Sequence, residues 1–174
     1  MIMIGAKASE EARSVIRYRA NPPLDNAVRL AAALCRRFEG AYLRPYTCPA
    51  GVATLGFGAT FYPTGVKVSL SDPPITLAQA EDLLDWMLRK VFMPQVLALC
   101  PGIDQPEQLA AITDFAFNLG VGRLAASTLR RKVNAGDWEA VPDELRKWTR
   151  GGGKVLRGLV ARREAEIALI NSIN

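Results

Sequence analysis

The chain has 174 residues, 49% apolar and 22% charged, which suits one domain with a sizeable core and excludes disorder. It contains no histidine, so Ser-His-Asp and Cys-His nucleophile systems and histidine-bearing zinc sites are excluded. A net charge of +5 favours a polyanionic partner such as nucleic acid, an anionic membrane or an acidic cell-wall polymer.

Residues 1–24 read as an N-terminal extension, helical and charged over 6–19 and broken by Asn21-Pro22-Pro23. The four apolar residues at the start fall short of both a signal-peptide core and a membrane span, so neither is expected. An amphipathic helix follows from about Asn26 to Glu39, capped by Asp25 or Asn26. Its apolar positions are Val28, Ala31, Leu34, Cys35 and Phe38, and Gly40 ends it.

Between Gly51 and Val68 frequent glycines, Thr54-Leu55-Gly56-Phe57 and the turn Pro63-Thr64-Gly65 predict a small antiparallel hairpin. Thr76-Leu77-Ala78-Gln79 is a capping box opening a helix whose apolar face is Ala80, Leu83, Leu84, Met87, Leu88 and Val91. Pro94 and Pro101 are expected to break the chain. Further helices are expected from Pro106 to Gly120, Ser127 to Asn134, Asp137 to Trp148 and Leu156 to Ile170. The class is α+β: residues 25–174 form one domain, with a β-lobe at about 41–75 and a helical lobe at about 76–174.

With no imidazole, acid/base chemistry falls to carboxylates, cysteines, tyrosines or lysines. Glu39 lies at the carbonyl end of an apolar-faced helix, where the dipole and partial burial both disfavour a negative charge. A carboxylic acid held protonated near neutrality is what a glycosidase uses to protonate a leaving oxygen; a solvated Glu at a helix end is the alternative. A helix end, a turn and the start of a sheet can bring Glu39, Cys48 and Thr54 around one cleft. The three cysteines, Cys35, Cys48 and Cys100, are too widely spaced for a disulfide framework or metal knuckle, and Cys35 and Cys100 read as core.

Phe38-Glu39-Gly40 followed by Cys48-Pro49-Ala50-Gly51-Val52-Ala53-Thr54-Leu55-Gly56-Phe57-Gly58 resembles the signature of the bacteriophage lysozymes of glycoside hydrolase family 24. That signature is a Glu, eight residues, an Asp or Cys, five residues and a Thr. Further resemblance lies in Ile75-Thr76 with Ala80-Glu81, in Phe115 to Gly120 with Ser127-Thr128-Leu129 and Asn134 to Asp137, and in Trp148, Gly152-Gly153-Lys154 and Gly158 to Arg163. It covers about Leu24 to the end.

The resemblance implies a lysozyme-like α+β fold with the active-site cleft between its lobes. It also implies hydrolysis of the β-1,4 bond between N-acetylmuramic acid and N-acetylglucosamine in peptidoglycan, without a metal or organic cofactor. By position Glu39 is the general acid, Cys48 replaces the second acidic residue, and Thr54 helps hold the attacking water. A thiol is a poorer base than a carboxylate unless its pKa falls, and Arg36, Arg37 or Arg44 would lower it if they stand close. Cys48 can then orient or activate water, or act as a nucleophile. Asn118, Ser127 and Thr128 either line a sugar-binding groove or cap helices. Arg162, a further substrate-binding candidate, or Arg163 pairs with Glu39, or both belong to a solvated basic face. Trp138 and Trp148 read as core, and Ala59 stands where many relatives have His.

The expected partner is bacterial peptidoglycan, reached from the host cytoplasm after holin-dependent permeabilisation, by a monomer that neither inserts stably in a membrane nor binds nucleic acid. The alternative is a catalytically weakened peptidoglycan-binding module of a phage or secretion assembly.

Overall fold

The structure, a computed structural model, describes residues 22–173; the helix expected over 6–19 lies outside them. The first helix, α1 (Pro22–Phe38), starts earlier than the expected Asn26. Pro22 and Pro23 occupy its first turn, where a missing N–H costs no intrahelical bond and a fixed φ suits the helix. Ala27, Val28, Ala31, Ala32, Leu34 and Cys35 form its buried face. The chain then crosses a two-stranded antiparallel sheet, β1 (Tyr42–Thr47) and β2 (Ala53–Gly56). The turn between them closes with Gly51 N–H on the Cys48 carbonyl at 2.8 Å, and Gly51 takes the positive φ of 79° that this turn requires.

The expected capping box forms: Gln79 N–H donates to Thr76 Oγ1 and Thr76 N–H to Gln79 Oε1, at 3.2 and 2.8 Å. It opens α2 (Leu77–Trp86), which packs on β1 and β2. Leu55, Phe57, Ala59 and Val68 are buried in this lobe, with Ala59 filling the core at the position of the missing His. Pro94 does not break the chain as expected. A π-helical turn, Met87–Phe92, joins α2 to α3 (Met93–Leu99), and Pro94 falls in the first turn of α3, where its missing N–H is tolerated.

The central helix is α4 (Pro106–Leu119), in which every residue from Gln108 to Ala116 is buried. A helix covered on all sides is a core helix, and α1, α3, the π-helical turn, α5 (Val121–Ala126) and α8 (Arg157–Ile170) surround this one. Between α5 and α8 lie α6 (Thr128–Asn134), α7 (Val141–Arg146) and a small hairpin, β3 (Arg150–Gly151) with β4 (Lys154–Val155). The helix expected over 137–148 is confined to α7 because Asp137 caps a separate turn, its Oδ1 accepting from Ala140 N–H, and Pro142 fixes the first turn of α7. Trp138 and Trp148 pack against the core, Trp148 edge-on to Phe115 at 5.4 Å.

Candidate active site

Glu39 follows directly on α1, its N–H still bonded to the Cys35 carbonyl at 2.8 Å. The helix end therefore fixes its backbone, while its side chain stays about one-third exposed. Arg162, on α8, donates from Nη1 to Glu39 Oε1 at 2.5 Å. Of the two expected candidates it is Arg162, not Arg163, that meets this carboxylate.

Arg162 is itself held from behind. Its Nε and Nη2 form a fork onto Asp114 Oδ2 and Oδ1, both at 2.8 Å, and the Cys35 thiol donates to Asp114 Oδ1 at 3.4 Å. Asp114 is fully buried and Arg162 nearly so. Burial works against the guanidinium charge, but Asp114 and Glu39 outweigh it and hold Arg162 charged above its ordinary range. The result is a rigid cation presented to Glu39. Two arms of the fork lock it in place and the third points to the site.

Arg163, one residue on, turns the other way. It pairs with buried Glu166 at 2.6 Å, donates to Asn118 Oδ1 at 3.2 Å and lies over the Phe115 ring.

On the hairpin, Cys48 and Thr54 come together. Thr54 is buried and donates from Oγ1 at 2.9 Å to the Val52 carbonyl, the same oxygen that accepts Cys48 N–H at 3.0 Å. The thiol is lowered from its ordinary pKa, first by the Val52 amide, then by Thr54 and the Ala50 amide. None of the expected Arg36, Arg37 and Arg44 is among the leading causes; Arg36 is drawn to Glu81 at 2.6 Å and Arg37 lies over Phe38. A turn that aims amides at sulfur favours thiolate without a neighbouring cation.

Tyr46 lies on β1, two residues before Cys48. Its hydroxyl is raised above the usual phenol value by burial first, then by the negative charges of Tyr42, Cys48 and Glu39. The site thus offers a carboxyl at the helix end and a thiol on the hairpin, one group able to give a proton and one able to take it.

The remaining candidates lie elsewhere. Ser127 is buried as the cap of α6, accepting from Arg130 N–H at 3.0 Å and donating to the Leu124 carbonyl at 2.7 Å. Exposed Thr128 engages the Glu144 carboxylate, and Asn118 is half-buried beside Arg163. Asp114 and Tyr46 were not among the sequence candidates. Asp114 had a signal: a lone acid inside Ala110-Ala111-Ile112-Thr113-Asp114-Phe115-Ala116 must be buried and must therefore find a cation.

The three thiols give a direct check on this environment. Burial pushes Cys35 well above the ordinary thiol range and Cys100 up to about 11, whereas Cys48 is lowered. Iodoacetamide is expected to alkylate Cys48 alone in the native protein. Its rate should rise with pH to a midpoint below that of free cysteine, because thiolate forms as pH passes the lowered pKa. Native labelling of Cys35 or Cys100 at a comparable rate would contradict this arrangement.

Known proteins resemble this chain in sequence and fold. The phage lysozyme family matches residues 36–166. A SAR-endolysin of bacteriophage PS119 is 37% identical over 131 residues, covering 74% of this chain and 73% of its own. The crystal structure of a P22 phage lysozyme mutant superposes with a TM-score of 0.70 at 28% identity, covering 81% of this chain and 94% of its own. The muramidase domain of SpmX from Asticaccaulis excentricus gives 0.68 at 28%, covering 82% and 95%. The family match begins three residues before Glu39 and ends at Glu166, so it takes in both walls of the site; the chain belongs to the phage lysozyme family and is a lysozyme-type hydrolase.

Proposed function

We propose that the chain is an endolysin that hydrolyses the β-1,4 bond between N-acetylmuramic acid and N-acetylglucosamine of bacterial peptidoglycan during host-cell lysis. The observation that carries this reading is the partly exposed Glu39 carboxylate held by Arg162, itself forked onto buried Asp114, in a chain of the phage lysozyme family. The likeness to a muramidase domain supports the choice of bond.

Glu39 is the general acid. Arg162 occupies Oε1, so the proton to be transferred sits on Oε2. It passes to the glycosidic oxygen as the bond to the anomeric carbon breaks. Water attacks that carbon from the opposite face and gives up a proton to the Cys48 thiolate, oriented by Thr54. Solvent then returns a proton to Glu39 and takes one from Cys48. Asp114 and Arg162 act by positioning Glu39.

Among the groove candidates, Asn118 has its Oδ1 held by Arg163 and its amide N–H groups available to a sugar. Ser127 is spent on its cap, Thr128 is engaged by Glu144, and Arg162 serves through Glu39.

The periplasm and wall are the place of action, a reading supported by relatives named SAR-endolysins. Holin-dependent release from the host cytoplasm is our proposal for how the chain reaches them. No described helix is long and apolar enough to cross a membrane.

The test is turbidity of chloroform-permeabilised Gram-negative cells. The wild-type protein is expected to clear them, and a folded protein that leaves turbidity unchanged overturns the reading.

A further inference from the structure

We propose that Tyr42 and Tyr46 form an aromatic platform that stacks a pyranose ring of the glycan strand beside Glu39. This rests on the functional reading above and adds a binding element to it.

The platform is produced by an irregularity in β1. Residues four apart along a regular strand lie about 13 Å from one another, too far for their rings to touch. The Tyr42 and Tyr46 rings have centroids 4.2 Å apart and planes inclined by 32°. The register shows how: Tyr42 pairs with Gly56 and Tyr46 with Thr54, so Leu43, Arg44 and Pro45 stand opposite Leu55 alone. The strand bulges outward between the two tyrosines and brings their rings together. Bulges of this kind re-aim side chains next to sites. The Leu43 carbonyl, freed from the ladder, is taken by Ile75 N–H at 2.9 Å, which pins the bulge to the segment before α2.

The pair is also placed against the site. A Cβ on Gly40 would come within 2.8 Å of Tyr42 Cε2, so the Tyr42 ring lies over the backbone of the residue that follows Glu39. Tyr46 senses both Glu39 and Cys48. Tyr42 remains 50% exposed, an aromatic face left open to solvent beside the candidate acid. A hexosamine ring has an apolar C–H face of matching size and a rim of hydroxyl and amide groups. It is the part of the wall polymer that buries best on such a surface while staying hydrated at its edge.

The experiment uses the full chain in a Glu39→Gln background, so that binding is read without digestion, with purified peptidoglycan sacculi as the probe. Tyr42→Ala is expected to weaken pelleting with sacculi about three- to tenfold. Tyr42→Phe, which keeps the ring, is expected to recover that loss. N-acetylglucosamine oligosaccharides should compete with sacculi for the parent, and less effectively for Tyr42→Ala. In the active background the Tyr42→Ala defect should fall on KM more than on kcat, with the melting temperature held because the residue is exposed.

Tyr42→Ala binding sacculi as the parent does, or Tyr42→Phe losing as much as Tyr42→Ala, overturns the platform. Competition by stem peptides in place of sugars does so too. A folded Glu39→Gln parent that does not bind sacculi, together with a folded wild-type protein that does not cleave them, overturns the functional reading, and the platform falls with it.

Discussion

Glu39→Gln is expected to slow the clearing of permeabilised cells by about 10²–10⁴-fold, the usual worth of a positioned general acid. The amide matches the carboxyl in shape and keeps an oxygen for Arg162, so the end of α1 and the fork on Asp114 stay in place. What it lacks is a transferable proton. The loss should therefore appear in kcat, with affinity for sacculi preserved, as for an interaction made only in the transition state. Clearing by Glu39→Gln within a few-fold of wild type would remove this residue from the mechanism.

The second large effect is on stability. Arg162→Met leaves Asp114 as a buried charge without its cation, since the fork is the only ion pair that Asp114 makes among the described residues. Breaking such a pair from one side costs about 3–5 kcal/mol. For a chain of this size that lowers the melting temperature by roughly 6–20 °C. Arg162→Met/Asp114→Leu, which removes the stranded charge, should be destabilised less than Arg162→Met alone. Wild-type and Arg162→Met melting within a degree of one another would show that the fork contributes little. Activity distinguishes the roles further: the double variant should fold yet clear cells poorly, because Glu39 has lost the group that holds Oε1.

These two effects differ in how far the sequence announced them. The Glu39–Cys48–Thr54 spacing is local along the chain. A helix end, one tight turn and one strand connect the three, and propensity and glycine placement already specify those elements. The capping box at Thr76 and the core positions of α1 were legible for the same reason.

Proline acts less as a break than expected at Pro22, Pro23 and Pro94, and more as a boundary than the helix expected through Pro142 allowed. Pro22, Pro23, Pro94 and Pro142 all lie in first turns of helices, where the ring is at home, so a proline marks a boundary without saying on which side the helix stands. The partner of Glu39 was legible only as a pair of alternatives. Arg162 and Arg163 are adjacent, and which faces the site depends on the rotation of α8 about its axis, fixed by Asp114 on one side and by Glu166 and Asn118 on the other. The source of the lowered Cys48 pKa was missed because it lies in backbone amides, which carry no residue signature. Tyr42 and Tyr46 were hidden because strand periodicity keeps them apart, and only the bulged register joins them.

The central claim is that this site cuts the glycan at one kind of bond. The most direct measurement is digestion of purified sacculi by the wild-type protein, followed by identification of the newly exposed reducing ends by mass spectrometry after borohydride reduction. The account predicts soluble fragments ending in reduced N-acetylmuramic acid, and none from Glu39→Gln at matched time and concentration. New ends of N-acetylglucosamine, or sacculi left intact by a folded wild-type protein, would contradict it.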